Sequence, residues 1–361
     1  MYANIRNLLF KMDPEKAHTR TIHALKMMQS FSVARNMYNK NMRLNDSRLE
    51  CKLLDIIFPN PIGLAAGFDK FADVYPALAS LGFGSVEVGS ITPKPQPGNP
   101  KPRLYRLPED TALINRMGFN SEGLNRAKQN FMTLPRPNIP LGINLGKNKD
   151  TPNSDATLDY QKGLETLYTY GDYFVINISS PNTEGLRDLQ YVDTLKPLLT
   201  SILNKRNELC KKHNVYRPII LKIAPDLTPE QLEGVITIIQ EVKIDSVIAA
   251  NTTISRTNLT SKFQKQIGGL SGKPLNHRST EIISKIYRQT QGKLPIIGSG
   301  GVFTGADAYE KIKSGASLIQ IYTSMIYRGP SVAKKINQEI LTLLEKDGLT
   351  NITEAIGLYH K

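Results

Sequence analysis

The chain has 361 residues, of which 40% are hydrophobic and 22% charged, so it suits one large domain with an appendage and excludes a small disulfide-stapled fold. No stretch approaches the ~18 consecutive apolar residues of a membrane-spanning helix, which excludes a transmembrane protein. The net charge of +14 favours anionic partners: nucleic acid, an acidic lipid surface, or ligands that carry phosphate or carboxylate groups.

The first fifty residues carry nine basic side chains against four acidic ones and predict two short amphipathic helices. Asp13 and Pro14 end the first helix and begin the second with a cap and a first-turn proline. The apolar face of the first comprises Tyr2, Ile5, Leu8, Leu9 and Met12, and that of the second Ala17, Thr21, Ala24, Leu25 and Met28. Two interpretations stay open: the pair packs on the main domain, or it touches a membrane.

The amino terminus lacks the apolar core and cleavage site of a secretory signal. It carries Asp13 and Glu15, where an organelle transit peptide avoids acids. The two cysteines, Cys51 and Cys210, are far apart in the chain, and there is no CxxC motif. We therefore expect a reducing, cytoplasmic compartment, with neither a disulfide framework nor a structural zinc site.

From about residue 50 onward, short apolar runs alternate with segments of helical length, which predicts repeated βα units. Eight runs occur, at 61–67, 83–90, 141–147, 174–182, 219–226, 246–253, 295–301 and 318–324. Segments suited to crossover helices include 154–170, 228–241, 276–291 and 304–314. Eight units predict an α/β fold of the (β/α)8 TIM-barrel type. An open doubly wound sheet is the alternative, but no GxGxxG motif follows the first run.

In such a barrel the functional groups lie where the strands end. The ends of the eight runs contain Asn, Ser, Thr, Lys and Gly but none of the five histidines, so we expect neither a metal site nor histidine base chemistry. The asparagines Asn144, Asn177, Asn182 and Asn251 offer paired donors and acceptors for a planar heterocycle. Each of them alone is also compatible with capping a turn.

Lys222 interrupts an apolar run, and burial of an unpaired lysine is costly. It is a candidate for a Schiff-base nucleophile, for a positive charge beside a cofactor that becomes anionic, or for a paired structural lysine. The glycine-rich segment 298–301 and the segment 322–324 follow the last two runs, where barrels often bind phosphate. Tight turns without a ligand are the alternative there.

Nine motifs in order now define a resemblance: AAGFDK, NRMGFN, GINLGKNKDT, NISSPNT, LKIAPDL, NTT, GGLSG, IIGSGG and IQIYTS. Together they resemble the quinone-dependent, class 2 dihydroorotate dehydrogenases, from the DPEKAH segment to about residue 330. The resemblance implies a flavoprotein barrel with a small N-terminal helical domain. It implies oxidation of (S)-dihydroorotate to orotate in de novo pyrimidine (UMP) biosynthesis, with FMN as first electron acceptor and a membrane quinone as second.

The resemblance assigns the catalytic base to Ser180, where soluble class 1 relatives carry cysteine, with Thr183 as a candidate for the onward proton relay. It assigns substrate binding to Lys70, Asn115, Arg116, Met117, Gly118, Phe119, Asn177, Asn182, Asn251 and Thr252. It assigns FMN binding to Ala66, Gly67, Phe68, Asp69, Lys70, Ser90, Asn144, Asn177, Lys222, Ala250, Gly272, Gly301, Tyr322 and Thr323. Ser90 and Ala250 depart from the family's threonines, and segment 183–190 is expected to form a lid.

The resemblance also implies the organisation of the chain. We expect a helical domain for membrane contact and quinone access at 1–48, the catalytic barrel at 49–345 and a tail at 346–361. The implied partners are dihydroorotate and orotate, a ubiquinone or menaquinone and the membrane surface, and we expect a monomer bound peripherally at the cytoplasmic side of the cell membrane.

Two other hypotheses remain at this point: a Schiff-base aldolase that uses Lys222, and a basic nucleic-acid-binding protein. Against the second, the basic residues are dispersed and no nucleic-acid-binding motif occurs.

Overall fold

The computed structural model describes residues 2–361, apart from the side chains at positions 32 and 34. Its strands are β1 (Cys51–Leu53), β2 (Ile56–Phe58), β3 (Ile62–Leu64), β4 (Ser85–Ile91), β5 (Leu104–Leu107), β6 (Ala112–Asn115), β7 (Leu141–Leu145), β8 (Tyr173–Asn177), β9 (Ile219–Lys222), β10 (Ser246–Ala249), β11 (Gly269–Gly272), β12 (Ile296–Ser299) and β13 (Leu318–Ile321). Its helices are α1 (Tyr2–Phe10), α2 (Pro14–Ser30), α3 (Ser32–Met42), α4 (Tyr75–Ala79), α5 (Gly123–Thr133), α6 (Ala156–Leu167), α7 (Val192–His213), α8 (Pro229–Val242), α9 (Asn276–Gln289), α10 (Gly305–Lys313), α11 (Thr323–Arg328) and α12 (Val332–Asp347).

Eight parallel strands close into a barrel in the order β3, β4, β7, β8, β9, β10, β12 and β13, and β13 pairs with β3. Each of the eight predicted runs overlaps one of these strands, so the predicted (β/α)8 barrel is confirmed. The four predicted crossover segments overlap α6, α8, α9 and α10. Strands β7, β8 and β9 are buried along their whole length because side chains inside the barrel and helices outside it cover both faces.

Two helices that follow barrel strands begin with capping boxes. Thr228 caps α8 together with Gln231, and Thr304 caps α10 together with Asp307. In each box the threonine oxygen accepts a hydrogen bond from a free backbone N–H of the first helical turn. These caps fix where the loops after β9 and β12 end, and both loops reach the carboxyl end of the barrel.

A second, antiparallel sheet in the order β11, β6 and β5 lies over the barrel mouth. Its strands belong to the connections that follow β4 and β10, so it joins two of the loops at the site. A small apolar cluster supports it, formed by Leu107, Ala112, Ile114, Leu259 and Leu270. This sheet was not predicted from the sequence.

The two predicted N-terminal helices are present as α1 and α2, but a third helix, α3, follows them, so the predicted count of two is corrected. The sequence of α3 contains Asn36, Asn39 and Asn41, and asparagine is a weak helix former, which explains why the helix was missed. Among residues 2–361, no helix has both the length and the apolar character needed to cross a bilayer.

The C-terminal segment packs against the outside of the barrel. Helix α12 extends to Asp347, and Ile352 and Ala355 beyond it are buried. The His360 ring stacks on Tyr287 with 5.0 Å between ring centroids. The domain boundary at 346 therefore falls in the last turn of a helix and stays a prediction.

Candidate active site

A pocket of about 1310 Å³, measured out to its open mouth, lies at the carboxyl ends of the barrel strands. Its wall also includes residues of the antiparallel sheet and of helix α2. It is lined by all but four of the predicted site residues: Ala66, Gly67, Lys70, Ser90, Asn115, Met117, Gly118, Phe119, Asn177, Ser180, Asn182, Lys222, Ala250, Asn251, Thr252, Gly272, Gly301, Tyr322 and Thr323. The fold thus brings together residues that span more than 250 positions of the chain.

Phe68 and Asp69 lie behind the pocket wall. The Phe68 ring packs against His18 at 5.2 Å and against Tyr322 at 6.2 Å, measured between ring centroids. The Asp69 carboxylate accepts hydrogen bonds from the backbone N–H groups of Asp73 and Val74, both at 2.8 Å. Burial nevertheless raises the pKa of Asp69 to about 6. Both side chains support the segment that carries Gly67 and Lys70.

Arg116 and Asn144 also lie away from the pocket surface. The Arg116 guanidinium points outward, donates a hydrogen bond to Gln266 at 3.0 Å and stacks over the ring of Tyr105. Asn144 is fully buried under the pocket floor. Neighbouring side chains of an extended segment point in opposite directions. Arg116 therefore faces away from the pocket although Asn115, the residue before it, lines the pocket.

Asn144 and Asn177 belong to a hydrogen-bonded chain that ends on the carboxylate of Glu87. Asn144 Nδ2 donates to Glu87 Oε1 at 2.8 Å. Asn144 Oδ1 therefore faces the pocket side, where it accepts from Asn177 Nδ2 at 3.2 Å and from the Ser90 hydroxyl. A carboxylate can only accept hydrogen bonds. Glu87 therefore fixes which amide atom of Asn144, and then of Asn177, donates and which accepts.

The same chain continues from Asn177 to Asn251. The Ser179 hydroxyl donates to Asn177 Oδ1 at 2.9 Å and accepts from Asn251 Nδ2 at 3.0 Å. The amide nitrogen of Asn251 is thereby engaged. Within the described part of the chain, its Oδ1 accepts no hydrogen bond and remains available to a ligand N–H in the pocket.

Lys222 lies on β9 with its ammonium 4.0 Å from Glu87 Oε1, and both residues are buried. Burial lowers the pKa of Lys222, and the Glu87 charge opposes that shift. The carboxylate is shared, because Gln320 Nε2 also donates to Glu87 Oε2 at 2.6 Å. At this distance Lys222 makes no hydrogen bond to Glu87, so its ammonium can serve an anionic group in the pocket.

We expect Glu87→Gln to lower the free energy of unfolding by about 3 kcal/mol, because it leaves Lys222 as an uncompensated buried charge. The double variant Glu87→Gln with Lys222→Met should recover part of that loss. Glu122→Gln is the matched control, since its ion pair with Arg126 is solvent-exposed and worth less than about 1 kcal/mol. Urea unfolding of the four proteins measures these values, and equal effects of Glu87→Gln and Glu122→Gln would contradict the predicted coupling.

Lys70 stands at the pocket wall, and its Nζ donates to the Gly67 carbonyl at 2.7 Å. Burial lowers the pKa of Lys70 to about 8, against the opposing charge of Glu15. Its neighbour His18 has its pKa lowered to about 3 by burial and by the Lys70 charge, so the imidazole is neutral. The pocket thus presents a cation that is charged below about pH 8, beside a neutral ring.

Glu15 and His18 were not predicted as site residues, although both line the pocket from α2. Glu15 forms an ion pair with Arg103 at 2.9 Å, which holds α2 against the loop that follows β4. Both residues belong to the DPEKAH segment, where the resemblance to the dihydroorotate dehydrogenases begins. That resemblance was the signal in the sequence that could have identified them as site residues.

Ser180 is buried, and its Oγ accepts a hydrogen bond from the Asn182 backbone N–H at 3.2 Å. Asn182 Nδ2 donates to Asn115 Oδ1 at 3.2 Å, which joins this loop to the antiparallel sheet. The Thr183 hydroxyl is buried and has no hydrogen-bond partner among residues 2–361. The relay from Ser180 through Thr183 stays a prediction.

Arg187, a third site residue that was not predicted from the sequence, connects three loops of the site. It donates to the Ser179 carbonyl at 3.0 Å, to Asp226 Oδ2 at 2.8 Å and to the Thr252 carbonyl at 2.9 Å. Residues 179, 226 and 252 follow β8, β9 and β10. Arg187 belongs to the predicted lid segment 183–190, which here holds these loop ends in fixed positions.

A glycine turn and two hydroxyl groups form the opposite end of the pocket. Gly301 has φ +70°, and a Cβ there would lie 2.5 Å from the backbone of Asn276, so only glycine fits. The Thr323 hydroxyl donates to Ser271 Oγ at 2.9 Å. The Ser324 hydroxyl is buried, and no protein group within the described range satisfies it.

Fold and pocket together define a (β/α)8-barrel protein whose site combines amide groups for a heterocycle, two lysines and a glycine turn. Residues 48–344 match the family model described as dihydroorotate dehydrogenase. The chain belongs to the dihydroorotate dehydrogenase family.

Similar proteins span nearly the whole chain. The dihydroorotate dehydrogenase (quinone) of Christiangramia forsetii is 52% identical over 93% of this chain and 97% of its own length. The mitochondrial dihydroorotate dehydrogenase (quinone) of Mus musculus is 45% identical over 97% of this chain and 88% of its own. The crystal structure of ligand-free DHODH from Eimeria tenella matches with a TM-score of 0.88 and 41% identity, over 97% of this chain and 100% of that chain.

Proposed function

We propose that the protein oxidises (S)-dihydroorotate to orotate in de novo pyrimidine biosynthesis, with FMN as first and a membrane quinone as final electron acceptor. The observation that carries this proposal is one pocket lined by Ser180, by the cation of Lys222 and by a set of oriented asparagines. Loss of a proton from C5 and of hydride from C6 requires a base and a hydride acceptor, both held against the C5–C6 bond of the substrate ring.

The residues present fit FMN. The glycine turn at 300–301 and the unpartnered Ser324 hydroxyl suit the phosphate group, and Lys222 suits negative charge on the ring system. Ala250 contributes only backbone, and its N–H is already donated to the Ser299 carbonyl at 2.8 Å. When bound, FMN supplies a hydride acceptor that passes electrons on singly or in pairs.

The substrate ring fits the oriented amides. The Lys70 ammonium would hold the carboxylate, and Asn251 would accept from a ring N–H through its free Oδ1. Ser180 would take the C5 proton while its own hydroxyl proton passes on, with the buried Thr183 hydroxyl as the proposed next member of the relay. Arg187 fixes the relative position of the loops that carry Ser179 and Thr252, because it donates a hydrogen bond to the backbone carbonyl of each.

The affinity for orotate is expected to fall about tenfold per pH unit above about pH 8. The pKa of Lys70 is about 8 in the free protein, so the ammonium that binds the carboxylate is present below that pH and lost above it. Lys70→Arg keeps its charge throughout and should bind orotate with a flat profile between pH 7 and 9. The change of flavin absorbance on titration with orotate measures the affinity of the wild-type protein and of Lys70→Arg at each pH. The same pH profile for the two proteins would refute the role of Lys70.

We further propose that the N-terminal helices bind the protein peripherally to the cytoplasmic side of the membrane, as a monomer. Large apolar side chains on the three N-terminal helices and at Phe31 between α2 and α3 are exposed by 49% to 79%: Ile5, Leu8, Met27, Phe31 and Val33. An apolar surface of this kind beside basic residues suits the interface of an anionic bilayer. Because α2 also lines the pocket through His18, a lipid-soluble quinone could reach the site along this surface.

Membership of the dihydroorotate dehydrogenase family removes the basis for the aldolase and nucleic-acid hypotheses. Borohydride treatment separates the two enzyme hypotheses directly. The proposed function predicts dihydroorotate-dependent quinone reduction with no borohydride-trapped adduct on Lys222, whereas a trapped adduct would favour the aldolase.

A further inference from the structure

Lys311 on α10 is fully buried outside the barrel strands, away from the pocket surface. Its ammonium donates three hydrogen bonds to the start of α9: to the Asn276 carbonyl at 2.8 Å and to the hydroxyls of Ser279 and Thr280, both at 2.6 Å. An ammonium has three N–H groups, so its donors are all used. Within the described residues, no carboxylate lies within 4.0 Å of it.

The groups that accept from Lys311 also hold the glycine turn of the pocket. The Ser279 hydroxyl is within donating distance of two backbone carbonyls. Its Oγ lies 3.1 Å from the Gly300 carbonyl oxygen and 3.2 Å from the Asn276 carbonyl oxygen. Asn276 Nδ2 donates to the Gly301 carbonyl at 2.9 Å. The contact between Gly301 and the Asn276 backbone is so close that a Cβ would not fit. The ammonium is therefore two hydrogen bonds away from the turn.

A buried lysine without an anionic partner is costly to keep. Burial lowers the pKa of Lys311 to about 7, and only the more distant Glu310 and Asp307 oppose that shift. Lys222, which is also buried but lines the pocket, faces Glu87. Lys311 instead lies behind the turn to which the proposed function assigns the phosphate group, and a bound dianion would supply its missing counter-charge.

We propose that Lys311 is a positioning residue for the phosphate group of FMN, which acts through Ser279 and Asn276 on the turn at 300–301 and places positive charge behind it. This inference rests on the proposed function, because it requires FMN as the cofactor.

The test compares FMN with riboflavin, which has the same ring system but no phosphate. Release of FMN after dilution of the holoenzyme is followed by flavin fluorescence. The bound FMN is then replaced by riboflavin, and the release of riboflavin is measured in the same way. Lys311→Met should weaken FMN binding about tenfold and leave riboflavin binding within about twofold. Lys313→Met is the matched control, since it removes the same charge from the same helix where the ammonium pairs with Asp347 instead. It should change neither affinity.

A purely structural role of Lys311 would weaken both flavins equally, and that result would overturn the proposal, as would unchanged binding of both. If Lys311→Met does not fold, Ser279→Ala replaces it, with an expected loss of about threefold for FMN only; unchanged or equal losses would again overturn the proposal. A wild-type protein that binds neither flavin would refute the proposed function itself. Wild-type protein that binds both flavins equally would refute only the role of the phosphate site.

Discussion

Ser180→Ala is expected to slow the reduction of bound FMN by dihydroorotate by about 10²–10⁴-fold, the usual contribution of a positioned general base. The side chain is buried in the pocket. Among residues 2–361 its hydroxyl oxygen accepts a hydrogen bond from the Asn182 N–H and donates none, so its own proton can be passed on. Anaerobic stopped-flow absorbance of the flavin measures this step. Binding of orotate should stay nearly unchanged, because the lysine and the asparagines remain.

Two further observations separate loss of the base from general damage to the pocket. Reoxidation of the reduced flavin by quinone should proceed at the wild-type rate in Ser180→Ala, since no C5 proton is involved. Ser180→Cys should retain more activity than the alanine variant and change the pH profile, because a thiol titrates near pH 8.5. Equal loss of both half-reactions in Ser180→Ala would contradict the assignment of Ser180 as the base.

Deletion of residues 1–45 is expected to abolish quinone reduction and vesicle binding while dihydroorotate oxidation with a soluble dye continues in part. The deletion removes the exposed apolar surface of the helices and the pocket residues Glu15 and His18. It also leaves the guanidinium of Arg103 without its ion pair and uncovers Phe68, so some loss of stability is expected. Parallel assays with a quinone analogue and a dye measure the two activities.

A point variant tests the membrane contact without removing the helices. Leu8→Glu with Phe31→Glu places charges at two exposed positions, 66% and 64% accessible, and should reduce sedimentation with anionic vesicles. Met132→Glu is the matched control. Met132 is 68% accessible and lies on α5, a helix of the barrel domain rather than of the N-terminal helices. Equal loss of quinone and dye activity in the deletion would mean that the helices mainly support folding.

The barrel could be predicted because its strands are buried on both faces and therefore form continuous apolar runs. The runs at 219–226 and 295–301 illustrate this, since each contains a strand followed by a polar loop. The sheet of β5, β6 and β11 could not be predicted in the same way. Its strands have four residues each, and β11 has the sequence GLSG, which indicates a turn rather than a strand.

The pocket wall could be predicted to the extent that its residues lie at strand ends or in shared motifs. Ser180, Lys222 and Asn251 were found in this way, and the fold brings them to one pocket. Glu87 was not found, because it lies within a strand and its partners come from strands distant in sequence. Lys311 resembles any helical lysine until the fold buries it against α9.

Orientation was also beyond the reach of the sequence. Neighbouring positions 115 and 116 received the same predicted role, yet Asn115 lines the pocket and Arg116 points outward to Gln266. The strand register decides which of two adjacent side chains faces the site. Similarly, His18 reaches the pocket because tertiary contacts hold α2 there, among them the ion pairs of Glu15 with Arg103 and of Lys26 with Asp73.

Oxidation of dihydroorotate through FMN to a quinone can be tested directly by an anaerobic absorbance titration of the purified protein in one cuvette. We expect a flavin spectrum that bleaches when dihydroorotate is added and returns when a short-chain quinone is added afterwards. A colourless protein that stays unresponsive after incubation with FMN, or a flavin that dihydroorotate does not reduce, would contradict this function.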